Sequence, residues 1–156
     1  MRRSDREIKS PELIRKTIDD CSICRIGFND NGEVYIIPLD FGYTCEDGKY
    51  VFYFHGAKEG RKFDLASQNP CVGFEMDTDY KLNEADAACS FSARFRSIIG
   101  TGRISVLSDE EERIKGLGRI MHKATGRSDW NFPPAALAKT AVFRLEVTEL
   151  SCKEHK

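Results

Sequence analysis

No apolar run in this chain approaches the roughly 20 residues needed to cross a bilayer. The opening Met1-Arg2-Arg3-Ser4-Asp5-Arg6 has no apolar stretch behind it, so a secretory leader is not expected. Neither sign of charge dominates: 24 basic and 25 acidic residues leave a net charge of -1, which argues against nucleic acid or an anionic membrane as partner. Tryptophan occurs once and histidine three times. There is no His/Cys/Asp cluster with metal spacing and no catalytic triad. No βαβ rhythm, internal repeat or low-complexity tract is present. An enzyme so poor in acid–base constellations would need a cofactor to carry its chemistry. These absences leave a single cytoplasmic domain over residues 1–156, with neither membrane nor nucleic acid as partner.

Six cysteines are present, but a cytoplasmic location argues against a disulfide framework. Cys21-x-x-Cys24 has redox or zinc spacing, yet no second pair completes a zinc site. Cys24 alternates with Ile26 and Phe28 as a buried strand residue would, so a structural thiol is expected.

What is present reads as strands with a few helices. Ser10-Pro11-Glu12 marks a helix start, with Leu13, Ile14, Thr17, Ile18 and Cys21 on one face. Ile23 to Phe28 alternates like a strand, and Asp30-Asn31-Gly32 signals a hairpin turn. Val34 to Tyr43 reads as one long strand interrupted by Pro38, and Lys49 to His55 as the next. A basic glycine loop, Gly56 to Lys62, leads into a short helix ended by Asn69-Pro70. Cys71 to Met76 is a strand and Thr78 to Ala88 a polar loop. Phe91 to Leu107 is a long strand kinked at Gly100-Thr101-Gly102. Ser108 to Glu111 is a capping box for a helix striped by Ile114, Leu117, Ile120, Met121 and Ala124 and stopped at Gly126. Ala141 to Leu150 is the last strand. The sum is about six antiparallel strands in meander order, best closed as a split β-barrel that hides its edges.

Three segments could carry chemistry. In Gly56–Lys62, glycines let backbone amides approach a ligand, and the following helix directs free N–H groups at the loop beside Arg61 and Lys62. That combination suits a phosphate, although the same stretch also reads as a solvated basic turn. It is not a Walker A loop, since the glycine spacing is wrong and no Ser/Thr follows Lys62. In Ile36–Tyr43, Pro38 leaves a neighbouring carbonyl free to meet a flat aromatic ligand, or simply marks an edge strand. Arg94 and Arg96 share a strand face and suit either an anion or surface ion pairs. His55, at a strand end before glycine, is a candidate proton donor or ligand contact. His122 reads as a surface histidine.

Taken together, these segments resemble the pyridoxamine-5'-phosphate oxidase-like flavin-binding split barrels, and within them the 5-nitroimidazole resistance (Nim) proteins. The resemblance covers nearly the whole chain. It rests on Arg2-Arg3 with Asp5-Arg6-Glu7, on Ile37-Pro38-Leu39-Asp40-Phe41-Gly42-Tyr43, and on Tyr53-Phe54-His55-Gly56-Ala57 with Gly60-Arg61-Lys62. It continues through Asn69-Pro70, Val72, Phe74-Glu75, Arg96-Ser97-Ile98-Ile99-Gly100 and Gly102, and closes on Met121, Thr125-Gly126, Trp130 and Val142 to Val147. It implies a homodimer with two FMN sites at the interface. Gly60, Arg61 and Lys62 would take the phosphate, helped by a polar group near Ser97. Pro38, Leu39 and Asp40 would line the isoalloxazine, with His55 and Gly56 beside it and Trp130 approaching from the partner chain. The implied activity is reduction of nitroimidazoles to amines by two-electron transfer, with His55 next to the flavin and NAD(P)H a candidate donor. Ser151-Cys152-Lys153 stands where the family usually has a Gly-Lys segment. The alternatives are a flavin carrier or sensor without turnover, and a related barrel using haem or a deazaflavin.

Overall fold

A computed structural model describes residues 3–156. Arg2, part of the N-terminal resemblance, lies outside them. Eight strands form one antiparallel sheet: β1 (Glu7–Ile8), β2 (Cys24–Asp30), β3 (Glu33–Leu39), β4 (Gly42–Glu46), β5 (Lys49–Ala57), β6 (Cys71–Asn83), β7 (Ser92–Val106) and β8 (Thr140–His155). Four α-helices accompany them: α1 (Pro11–Asp20), α2 (Arg61–Gln68), α3 (Glu110–Thr125) and α4 (Pro134–Lys139). The strand order is β3-β2-β6-β7-β8-β5-β4, with β1 added against β8. This corrects the expected six-stranded meander: β2 pairs with β6, and β8 lies between β7 and β5. The inner faces of β2, β5, β6, β7 and β8 meet in one apolar cluster with Ile18 of α1 and Leu65 of α2. The sheet is a barrel split between β3 and β4, which do not pair.

Local signals were translated faithfully where the chemistry is local. Ser10 caps α1 by accepting from the Leu13 N–H at 3.3 Å. Asn31 and Gly32 both take positive φ, as a tight hairpin of this twist requires. Gly126 ends α3 in the left-handed conformation. Other boundaries move. The chain breaks between Leu39 and Gly42, so the long strand with Pro38 is two strands, β3 and β4. β6 runs past Met76 to Asn83 through an irregularity between Thr78 and Lys81, so much of the expected polar loop is strand. Its side chains are polar because both faces there meet water. The α3 cap is Asp109 rather than Ser108, accepting from the Glu112 N–H at 2.9 Å. Strand β8 continues to His155, and α4 was not anticipated.

α3 buries Leu117 and Ile120 as the stripe predicts, but differs in its first turn. Ile114 is 39% exposed while Arg113 is buried. The Arg113 guanidinium donates to the carbonyl of Thr140 at 2.9 Å and to that of Leu137, which ties α3 to the end of α4. Further along, α3 crosses β4 so closely that a Cβ on Gly42 would lie 2.2 Å from the Arg119 carbonyl carbon. Lys123 reaches the end of α1, donating to the Asp19 and Cys21 carbonyls at 3.0 and 2.7 Å and resting 4.8 Å above the Phe41 ring. Arg96, 11% exposed, completes the attachment of α1. It donates to Asp20 at 2.6 Å, to Asp79 through Nε at 2.8 Å and to Thr17 at 3.3 Å. The expected surface pair of arginines is therefore one structural arginine and one exposed Arg94.

Two expectations follow. Gly42→Ala forces backbone against backbone and is expected to cost at least about 2 kcal/mol, read as a lower urea midpoint. Gly118→Ala, in the α3 interior with nothing within 4 Å, is expected to add about 0.5–1 kcal/mol. Acid provides the second check. The Arg96 hydrogen bond holds the Asp20 carboxyl below its ordinary range. That stabilisation is complete above the unfolded carboxyl pKa and fades as pH falls below about 4. Asp20→Asn should flatten the pH dependence of the melting temperature in that window.

Candidate functional site

The candidate site lies where β5 hands over to α2. Phe52, Phe54 and Gly56 face the barrel interior along β5; on the other side Tyr53, with Val51 against it, packs with Leu117 and Ile120 of α3, and His55 is exposed. The chain then turns through Gly60, whose φ of 95° only glycine adopts readily, and α2 begins without a side-chain cap. Its first N–H groups are thus free to meet an anion. Lys62 lies back over Gly56: a Cβ there would sit 2.4 Å from its Nζ. That ammonium donates to the His55 carbonyl at 3.1 Å and sits 4.9 Å from the centre of the Phe143 ring. Among the described residues no carboxylate pairs with it. Burial pushes its pKa down, since a half-buried cation has lost water without gaining a counterion. Glycine at 56, an uncapped helix end and an unneutralised cation make a cradle for an anion such as a phosphate.

Arg61, beside it, is differently placed. Its Nε donates to an Asp30 carboxylate oxygen at 2.7 Å, with Nη2 at 2.7 Å from the same oxygen as an ion pair, Glu33 at 3.7 Å and the Tyr35 ring 4.5 Å from the guanidinium carbon. The expected pair of phosphate cations is therefore one free and one engaged. The residues that engage Arg61, and Phe143 beneath Lys62, were not singled out from sequence. Asp30 was visible only as a turn residue, and nothing local to Lys62 announces a ring on β8.

Pro38 and Leu39 end edge strand β3, Pro38 opposite Arg25 and Leu39 opposite Cys24, and Asp40 follows it. Pairing resumes at Gly42 with Tyr53, so this segment enters β4 alongside the His55 end of β5. His55 is exposed opposite Val142, and its imidazole hydrogen-bonds to no described residue. The structure thus brings His55, Gly56, Gly60 and Lys62 together where β5 meets α2, while Pro38 and Leu39 lie at the far end of the β2–β3 hairpin from the Asp30 that pairs with Arg61. Ser97 is elsewhere. It pairs with Asp77 and Lys153, and along β8 from Phe143 to Lys153 is roughly 30 Å at about 3.3 Å per residue. Its Oγ is buried and has no hydrogen-bond partner. Trp130 is held by its own loop, donating to the Arg127 carbonyl at 3.2 Å with the Arg127 guanidinium 4.6 Å over its ring. Within one chain neither residue joins the cradle.

Comparison with known proteins agrees with this architecture. A family model described as pyridoxamine 5'-phosphate oxidase matches residues 10–154. A candidate 5-nitroimidazole antibiotic resistance protein from Bacteroides thetaiotaomicron VPI-5482 superposes with a TM-score of 0.81 at 26% identity, covering 95% of this chain and 86% of that one. The flavocytochrome Anf3 from Azotobacter vinelandii gives 0.81 at 23% identity, over 100% of this chain and 72% of that one. An FAD and haem binding protein from Mycobacterium smegmatis gives 0.79 at 17%, over 97% and 74%. The last two share the fold. No curated protein matches the chain.

The Cys21-x-x-Cys24 pair stands apart from the cradle. Both thiols are buried and free, and burial raises the pKa of each, that of Cys21 to about 12. At neutral pH they are neither nucleophiles nor ready metal ligands. A thiol-reactive dye is expected to modify exposed Cys71 and Cys89 first in the native protein, and Cys21 and Cys24 only on unfolding. Rapid native modification of Cys24 would contradict the structural assignment.

Proposed function

The chain belongs to the pyridoxamine 5'-phosphate oxidase family, and from that premise we propose that it is an FMN-dependent oxidoreductase built as a homodimer, reducing nitroaromatic substrates of the nitroimidazole class. The observation that carries this is the unneutralised Lys62 ammonium over Gly56 at an uncapped helix start, a site in want of a dianion. Lys62 and the first α2 N–H groups hold the phosphate, joined by Arg61. Pro38, Leu39 and Asp40 wall the ring. A bound flavin supplies hydride and electron transfer, which the protein's own side chains cannot. His55 holds a proton at an exposed imidazole beside that wall and delivers it to the reduced substrate. NAD(P)H is the proposed donor.

A second copy of the chain fits the outer face of β3-β2-β6-β7. Val34, Ile36 and Ile99 are 75, 62 and 50% exposed there, large side chains on the side of these strands away from the core. Gly27 and Gly73 keep the surface flat beside them. Ser97, on this same outward side of β7, has a buried hydroxyl with nothing to bond within its own chain. A twofold pair brings such patches together reciprocally and delivers Ser97 and Trp130 to the partner's cradle.

The first test is the absorption spectrum of the purified protein, expected to show flavin bands; a Soret band alone would replace flavin with haem. Lys62→Ala is expected to weaken FMN binding by about 1.5–3 kcal/mol and riboflavin, which lacks the phosphate, hardly at all. Equal losses for the two ligands would remove Lys62 from the phosphate site. His55→Ala should keep stoichiometric FMN and lose most of the anaerobic reoxidation by a nitroimidazole after NAD(P)H reduction. An unchanged rate reduces His55 to a wall of the pocket. Sedimentation of the holoprotein should give a dimer, and a monomer carrying one FMN per chain refutes the shared site.

A further inference from the structure

Arg61 is already satisfied by a carboxylate. Its guanidinium gives its Nε–H to one oxygen of Asp30, holds Nη2 at 2.7 Å from that oxygen, has Glu33 at 3.7 Å, and faces the Tyr35 ring at 4.5 Å. Asp30 is itself fixed. It ends β2 at the turn whose next two residues take positive φ, and its side chain is 22% exposed against 84% for Glu33. Lys62, one residue on, points the other way, to Gly56 and Phe143, with no anion near it. The two cations at the start of α2 are therefore unequal: one waits for a negative charge, the other has one in hand.

Resting on the phosphate-site assignment above, we propose that Asp30 is a specificity-determining residue, an internal anion that competes with the ligand's phosphate for Arg61. A phosphate arriving at Lys62 and the α2 N–H groups meets Arg61 only through the donors that Asp30 leaves free, or by displacing Asp30 and bringing two anions close together. Either route lowers the advantage of a phosphorylated flavin over an unphosphorylated one. Asp30 thereby sets how far the site prefers FMN to riboflavin, through a residue that touches neither the ring nor the reacting atoms.

Fluorescence titration of the apoprotein with FMN and with riboflavin tests this directly. Asp30→Asn keeps the side chain's shape and removes its charge. It is expected to tighten FMN binding about tenfold, as strong charge-assisted bonds to Arg61 pass from Asp30 to the phosphate, with riboflavin unchanged. In Asp30→Asn/Arg61→Ala the gain should vanish. Glu33→Gln removes the same formal charge from a neighbouring, poorly engaged carboxylate and should change FMN binding far less, which separates local competition from overall charge. Thermal melts of each apoprotein check that the variants are folded. If the wild-type chain binds FMN and Asp30→Asn binds it no better, or if FMN and riboflavin tighten together, the competition is refuted while the phosphate site stands. If no variant binds either flavin, the phosphate site fails and the competition fails with it.

Discussion

Two long strands must bend for this fold to exist. β7 and β8 run antiparallel through the middle of the sheet, and a straight pair of that length would leave one side of the core bare. The bend falls at Gly100-Thr101-Gly102, where the register with β8 shifts. A Cβ at residue 102 would sit 2.4 Å from the Glu146 carbonyl oxygen, and one at residue 100 would strike the Phe74 ring. With the strands folded over here, Phe74 packs against Phe52 at 5.4 Å between ring centres, and Phe52 against Phe41 at 5.7 Å. Phe41 in turn underlies Lys123, which fastens α3 to α1. The curvature of one strand pair thus reaches the helices on the outside of the barrel.

The same curvature sets the geometry of the candidate site. It brings Phe143 of β8 beneath the start of α2, so that Lys62 finds a ring and a carbonyl but no carboxylate. An ammonium over an aromatic face is weakly held and only partly compensated for lost water. Arg61, one position earlier in the helix, swings to the β2–β3 turn and pairs with Asp30. Adjacent cations thereby acquire opposite tendencies from their surroundings alone.

Much of this was legible in the sequence because its causes are local. The Ser10 cap, the Asn31-Gly32 turn, the glycine kink in β7 and the Gly126 stop each depend on a few neighbouring residues. The family resemblance carried the barrel. What could not be read were choices made by distant residues. Arg113 is buried and Ile114 exposed because carbonyls at Leu137 and Thr140 reward the guanidinium. β6 extends past Met76 because β7 pairs with it, not because its own residues demand a strand. The resemblance implies a polar group near Ser97 at the phosphate, and only the register with Asp77 and Lys153 shows how far along β8 it lies from Lys62. The engagement of Arg61 by Asp30 joins two segments that look unrelated until the barrel folds.

β8 follows every other strand in the chain and yet occupies the centre of the sheet, between β7 and β5. A ribosome therefore delivers the keystone last. Until then the edges of β5 and β7 stand open, and Phe52, Phe54 and Ile104 have no inner wall from Phe143 and Leu145 to close on. Pairings such as Val51 with Glu146 span most of the chain, the kind of closure that slows folding. Until β8 is made, the edges it covers on β5 and β7 lack their partner, and unpaired edges of this kind are the surfaces that chaperones shield and that aggregation recruits.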